Sequence, residues 1–86
     1  MRRRNPIHAK RLLARNLRRL RLERSWSQDD LAAEAKMRQA LVSAMEVATA
    51  NPTLESLDKV AAALGVGIAD LLAVPAAKQR PALPGR

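Results

Sequence analysis

The stretch SQDDLAAEAKMRQALVSAMEV, Ser27 to Val47, decides the fold. Ser27 offers a hydroxyl to exposed backbone N–H groups, and Asp29 and Asp30 put negative charge in the first turn, where the helix dipole favours it. This predicts a short helix from about Gln28 to Ala35 that buries Leu31, Ala32 and Ala35. Lys36 and Met37 form a break. Gln39 to Val47 then reads as a second short helix, with Val42 and Met45 facing inward at i, i+3.

Upstream, Asn5-Pro6 supplies an N-cap and a proline at the first helical position. From Ala9 on, Leu13, Leu17 and Leu20 recur at spacings of four and three, while Arg11, Arg15, Arg18 and Arg19 lie mainly off that stripe. The pattern predicts an amphipathic helix ending near Arg24. Downstream, Pro52 blocks helix and Thr53 caps a fourth one, in which Leu54, Leu57, Val60, Ala61 and Leu64 keep helical spacing up to Gly65, a natural terminator. Gly67 and Asp70 open a last short helix with Ile68, Leu71 and Leu72. No repeat, heptad or alternating strand pattern is present. The expected class is all-α: a basic arm (1–5), a compact five-helix domain (6–74) and a proline-rich, disordered tail (75–86).

The 86 residues make one domain, with a modest core that dimerisation would supplement. The absence of Cys removes disulfides and thiolate metal sites and points to a reducing cytoplasm. His8, the one histidine, has no partner at metal-ligand spacing. The longest uncharged run, Val60 to Ala69, is far shorter than the ~20 residues that cross a bilayer, so no membrane partner is expected. No nucleophile, base and metal set suggests an enzyme, and no cofactor is expected. The net charge of +8 favours a polyanionic partner, and its distribution is uneven: residues 1–24 hold ten Lys or Arg against one Glu, whereas residues 25–86 hold six basic and seven acidic residues.

The chain resembles the Cro/CI (Xre-type) helix-turn-helix repressors, whose fold is the lambda-repressor-like five-helix domain. The resemblance runs through Leu20-Arg21, Trp26-Ser27-Gln28-Asp29-Asp30-Leu31-Ala32, Glu46, Asn51-Pro52-Thr53-Leu54 and Val60-Ala61-Ala62-Ala63-Leu64-Gly65-Val66, and covers roughly Leu13 to Leu72. It implies a regulator of double-stranded DNA, acting as a homodimer with its third helix in the major groove.

The resemblance makes Gln28 a phosphate contact, against the plainer reading of a solvated first-turn side chain. It places Gln39 and Ser43, four apart on one helical face, where family members read base edges, and Gln suits adenine. Arg38 stands where the family has a Ser or Thr cap and could reach phosphate. Thr49 and Asn51 match positions near the backbone, although Asn51 could simply open the turn before Pro52. Arg21 and Glu46 match a structural ion pair, and Trp26 a buried Leu. Arg2, Arg3, Arg4, Lys10, Arg11 and Arg15 form a basic run suited to phosphate or the minor groove, or else a solvated face.

The sequence also departs from the family. Lys36 and Ala48 replace glycines, at a cost of about 1 kcal/mol each if φ is positive. Helix 3 lacks Arg or Lys at Ala44 and Val47 and turns Ala40, Leu41 and Ala44 toward the expected DNA face. An apolar face can touch thymine methyls or another protein. Two further readings therefore stand beside the DNA regulator: a helix-turn-helix fold reused to bind another regulatory protein through Leu41 and Ala44, as an anti-activator or antitoxin-like partner would, and non-specific nucleic-acid binding through the arm and helix 1 alone. Leu71, Leu72 and Val74 are the expected dimer surface.

Overall fold

The computed structural model describes residues 8–74. The leucine stripe of the first helix, α1 (His8–Glu23), forms one wall of the core with Leu13, Leu17 and Leu20. α2 (Gln28–Ala35) and α3 (Gln39–Glu46) pack on each other, α2 also against α4 (Leu54–Leu64) and α3 against α1, while the four-residue α5 (Ile68–Leu71) closes the gap between α1 and α4. Leu31, Val42, Met45, Val60, Leu64 and Leu71 are among the side chains sealed inside. There are no strands among the described residues. The all-helical, five-helix expectation holds.

The predicted boundaries hold to within a residue where they can be compared. α3 ends one residue early, at Glu46, and Val47 has already left helical geometry at φ −107°, ψ 13°. The predicted cap at Asn5-Pro6, the arm and the tail all lie outside the described residues.

The N-termini follow the capping chemistry. The Ser27 hydroxyl accepts from the Asp30 amide at 2.9 Å and the Asp30 carboxylate accepts from the Ser27 amide at 2.8 Å, satisfying two otherwise orphaned donors. Thr53 accepts from the Ser56 amide at 3.0 Å. Arg38, which has no acceptor, makes no side-chain cap for α3.

The C-termini share a device that periodicity does not reveal. α1 to α4 all end in the same turn: one residue in the left-handed region, with its amide bonded three residues back, followed by a residue whose amide reaches five back. The turning residues are Ser25 (φ 58°), Lys36 (φ 57°), Ala48 (φ 63°) and Gly65 (φ 72°). The long bonds run from Trp26 to Arg21, Met37 to Ala32, Thr49 to Ala44 and Val66 to Ala61. Trp26, Met37 and Val66, each just past its turn, pack against the core. Trp26 is thus half-buried at a helix end.

Only one of the four turns has glycine. A side chain in the left-handed region costs about 1–2 kcal/mol, while glycine gives back about 0.5–1 kcal/mol through the greater freedom of the unfolded chain. Lys36→Gly, at an exposed position, is therefore expected to stabilise the domain by about 0.5–1 kcal/mol. In a thermal melt this raises Tm by about 2–8 °C. A lower Tm would show that the Lys36 side chain contributes more than its backbone strain costs.

Two polar side chains, one in α1 and one just past its end, tie distant parts together. Asn16, essentially inaccessible, donates through Nδ2 to the carbonyls of Leu71 at 2.9 Å and Ala73 at 2.8 Å. Arg24 donates to the carbonyls of Leu20 and Leu64, bringing together the exposed ends of α1 and α4. Leu71 itself is fully buried, which corrects its placement on a dimer surface: at one turn from the chain's last described residues it completes the core. Leu72 and Val74 remain exposed.

Candidate nucleic-acid interface

α2 and α3 are separated by only three residues, and the side chains of their first residues, Gln28 and Gln39, meet at the surface. Val42 and Met45 anchor its inner face at zero exposure. Gln39, Ala40 and Val47 are exposed, and Ser43 and Ala44 half-buried. Leu41, expected to face outward, is half-buried and packs against the core. This reduces what the largest member of the expected apolar protein-contact surface offers to a partner, beside the short side chains of Ala40 and Ala44. α3 packs against both α1 and α2, so more of its circumference is covered than helical spacing within α3 alone specifies.

A polar chain runs from the interior to the first residue of α3. Arg21 Nε donates to Glu46 Oε2 at 2.6 Å and Nη2 to Oε1 at 2.9 Å, a bidentate pair with both side chains largely buried. Its remaining Nη1 donates to the Trp26 carbonyl at 2.7 Å. Gln28 Nε2 donates to Glu46 Oε1 at 3.1 Å, and Gln39 Nε2 donates to Gln28 Oε1 at 2.6 Å. The carboxylate sets the direction of the whole chain. It accepts only, so Gln28 must turn its NH2 inward and its carbonyl outward, and Gln39 must then point its NH2 at Gln28. Gln39 is left with its carbonyl and one N–H.

Desolvation pushes the Glu46 carboxyl upward, but the hydrogen bonds from Arg21 and Gln28 and the charges of Arg21 and Arg18 outweigh it, leaving the group below the usual carboxylate range. Arg21 is raised, chiefly by its hydrogen bond to Glu46. The pair is ionised throughout the working pH range.

The remaining sequence-derived residues ring this centre. Arg38 is exposed at the start of α3. Thr49 and Asn51 are exposed in the loop beyond α3, the Thr49 hydroxyl donating to the Ala44 carbonyl at 3.3 Å. Arg15 is exposed on α1. Arg2, Arg3 and Arg4 lie outside the described residues. Among the described residues no group of His, Cys, Asp and Glu converges to hold a metal ion, and no helix is long and apolar enough to cross a membrane. Sequence reasoning found Arg21, Glu46, Gln28 and Gln39 but not the bonds between Gln28 and its two neighbours. It missed Asn16 altogether, although a lone amide between Leu13 and Leu17 on an apolar stripe is itself a signal that a buried partner exists.

The two short helices, their turn and the bracing first helix define a helix-turn-helix domain. The chain belongs to the helix-turn-helix family of Xre type, whose family model matches residues 17–71. It is 41% identical over 64 residues to a hypothetical transcription factor of Neisseria meningitidis serogroup B, an alignment covering 74% of this chain. The chain spans 60% of that relative's length. The crystal structure of the hypothetical transcription factor NHTF from Neisseria superimposes with a TM-score of 0.75 at 39% identity, covering 78% of this chain and 77% of the other. A mutant of the restriction-modification controller protein C.Esp1396I superimposes with a TM-score of 0.64 at 25% identity, covering 76% and 80%.

Proposed function

We propose that this chain is a DNA-binding transcription regulator, repressor-like, that acts in the cytoplasm as a homodimer on a two-fold operator with α3 in successive major grooves. The observation that carries the reading is the Gln39–Gln28–Glu46–Arg21 chain. Reading adenine in the major groove requires one acceptor for N6 and one donor for N7, and these are the two groups Gln39 has left once Gln28 has oriented it. The amide is held before DNA arrives, so little rotamer freedom remains to be lost on binding. Gln28, at the amino end of α2, retains an N–H for a phosphate, as helix N-termini favour. Arg38, Thr49 and Asn51 flank the same face with further phosphate donors, and Ser43 offers a hydroxyl one turn beyond Gln39. The partial burial of Leu41 against the core favours this reading over capture of a regulatory protein through Leu41 and Ala44.

Selection from a random duplex pool, followed by binding measurements on the enriched site, tests the proposal. Gln39→Ala is expected to weaken binding to that site by about 1–3 kcal/mol, roughly 5- to 150-fold, while leaving random-duplex affinity and Tm unchanged. Failure to enrich any duplex would overturn the reading.

A further inference from the structure

Six arginines of the α1 region divide into two sets. Arg19 is paired with Glu23 at 3.0 Å, Arg21 with Glu46, and Arg24 with two helix-end carbonyls. Arg11, Arg15 and Arg18 are exposed and have no hydrogen-bond or ion-pair partner among the described residues. Their spacing of four and three puts all three on one face of the helix. That face is not remote from the reading helix: the three arginines line one shallow groove together with Glu46, Val47 and Ala48, the end of α3 and its terminating turn. Val47 and Ala48 have no side chain long enough to obstruct it. Glu46 is the one acid there: Arg21 pairs with it directly, and Arg18 acts on it only through its charge, with no direct ion pair between them.

We propose that Arg11, Arg15 and Arg18 form a phosphate track that carries the DNA backbone past the end of α3 and along α1. This inference rests on the DNA-binding reading and extends the interface to a second element. Seven residues of helix cover about 10 Å, enough for three long arginine side chains to meet roughly two or three successive phosphates of one strand. The track is a charge-matching device with no base contacts. It compensates for the missing Arg and Lys at Ala44 and Val47, placing the positive charge of the interface on the bracing helix instead of the reading helix.

The test is the salt dependence of binding by the full chain, comparing wild type with the triple variant Arg11→Ala, Arg15→Ala, Arg18→Ala on the selected duplex and on a random duplex. Each phosphate contact contributes about 0.9 to the slope of log K against log salt concentration, so the triple variant is expected to flatten the slope by about 2–3 on both duplexes and leave their affinity ratio unchanged. Arg19→Ala, whose guanidinium is already paired, serves as the reference and leaves the slope as it is. A site that is selected normally but bound by the triple variant with the wild-type slope overturns the track while the regulator reading stands. Loss confined to the selected duplex also overturns it, since phosphate contacts do not read sequence. A flattened slope without any selected site supports the track and removes sequence-specific regulation. Circular dichroism and Tm of the triple variant should match wild type, because all three side chains are exposed.

Discussion

Replacing Glu46 by alanine is expected to remove about 3–5 kcal/mol of stability, because it leaves the Arg21 guanidinium largely buried with no counter-charge. Small domains have only about 5–15 kcal/mol in total, so the variant should lose much of its margin in urea or thermal unfolding. The ordinary worth of an exposed ion pair is below about 1 kcal/mol, and a loss that small would refute a buried, functioning pair. Replacing both partners with apolar residues, Arg21→Met with Glu46→Leu, should recover most of the loss. It would not recover recognition, since Gln28 would have no carboxylate to orient it and Gln39 would no longer be held.

The same pair sets an acid limit. Glu46 has a folded-state pKa below its ordinary value of 4.5, so its contribution is complete above about that pH and is lost as pH falls through the lowered folded value. Arg21 is shifted upward from an already basic value, so its contribution stays complete throughout acid and neutral conditions. Stability measured from pH 7 down to pH 2 should fall below about pH 4.5 in the wild type. Glu46→Gln should start lower and show a shallower fall over that range. Parallel curves would mean that other carboxylates govern acid unfolding.

Asn16→Leu is expected to cost about 2–4 kcal/mol, with a local signature. The substitution roughly keeps volume but removes both N–H groups, stranding the carbonyls of Leu71 and Ala73, at about 1–3 kcal/mol for each acceptor that stays dry. Because α5 is a single turn held between α1 and α4, hydrogen exchange should show its amides losing protection at denaturant concentrations where α1 to α4 remain protected. Uniform loss across all helices would instead make Asn16 part of the global unfolding unit. Full retention of stability would mean that water reaches the two carbonyls.

Much of this architecture is legible along the chain. The start of α2 follows from Ser27 and Asp30, and that of α4 from Pro52 and Thr53. The inward faces follow from the spacings of Leu13, Leu17 and Leu20 and of Val42 and Met45. The pairing of Arg21 with Glu46 was reached through resemblance to a family, since nothing in local periodicity links residues 25 apart. The three non-glycine turns illustrate the opposite case. At Lys36 and Ala48 the residue type argues against positive φ, yet the backbone adopts it at Ser25, Lys36 and Ala48; after the first two turns the next residue, Trp26 or Met37, packs against the core, whereas Thr49 after the third stays exposed and closes its turn through backbone hydrogen bonds.

What the sequence by itself determined is therefore one-dimensional: helices, their caps, their apolar stripes, the concentration of positive charge before residue 25, and the absence of cysteine chemistry. The tertiary structure alone decided which members of those stripes are covered. It buried Leu71 and half-buried Leu41, gave the Asn16 amide two carbonyls more than 50 residues away, and left Arg11, Arg15 and Arg18 without a direct ion pair beside the end of α3. The physical reason is that helical spacing gives a residue's angle about its own axis, whereas burial and hydrogen-bond direction depend on which neighbouring helix arrives at that angle. The orientation of Gln39, on which the proposed reading of DNA rests, comes from a carboxylate on the far end of its own helix and a guanidinium on another.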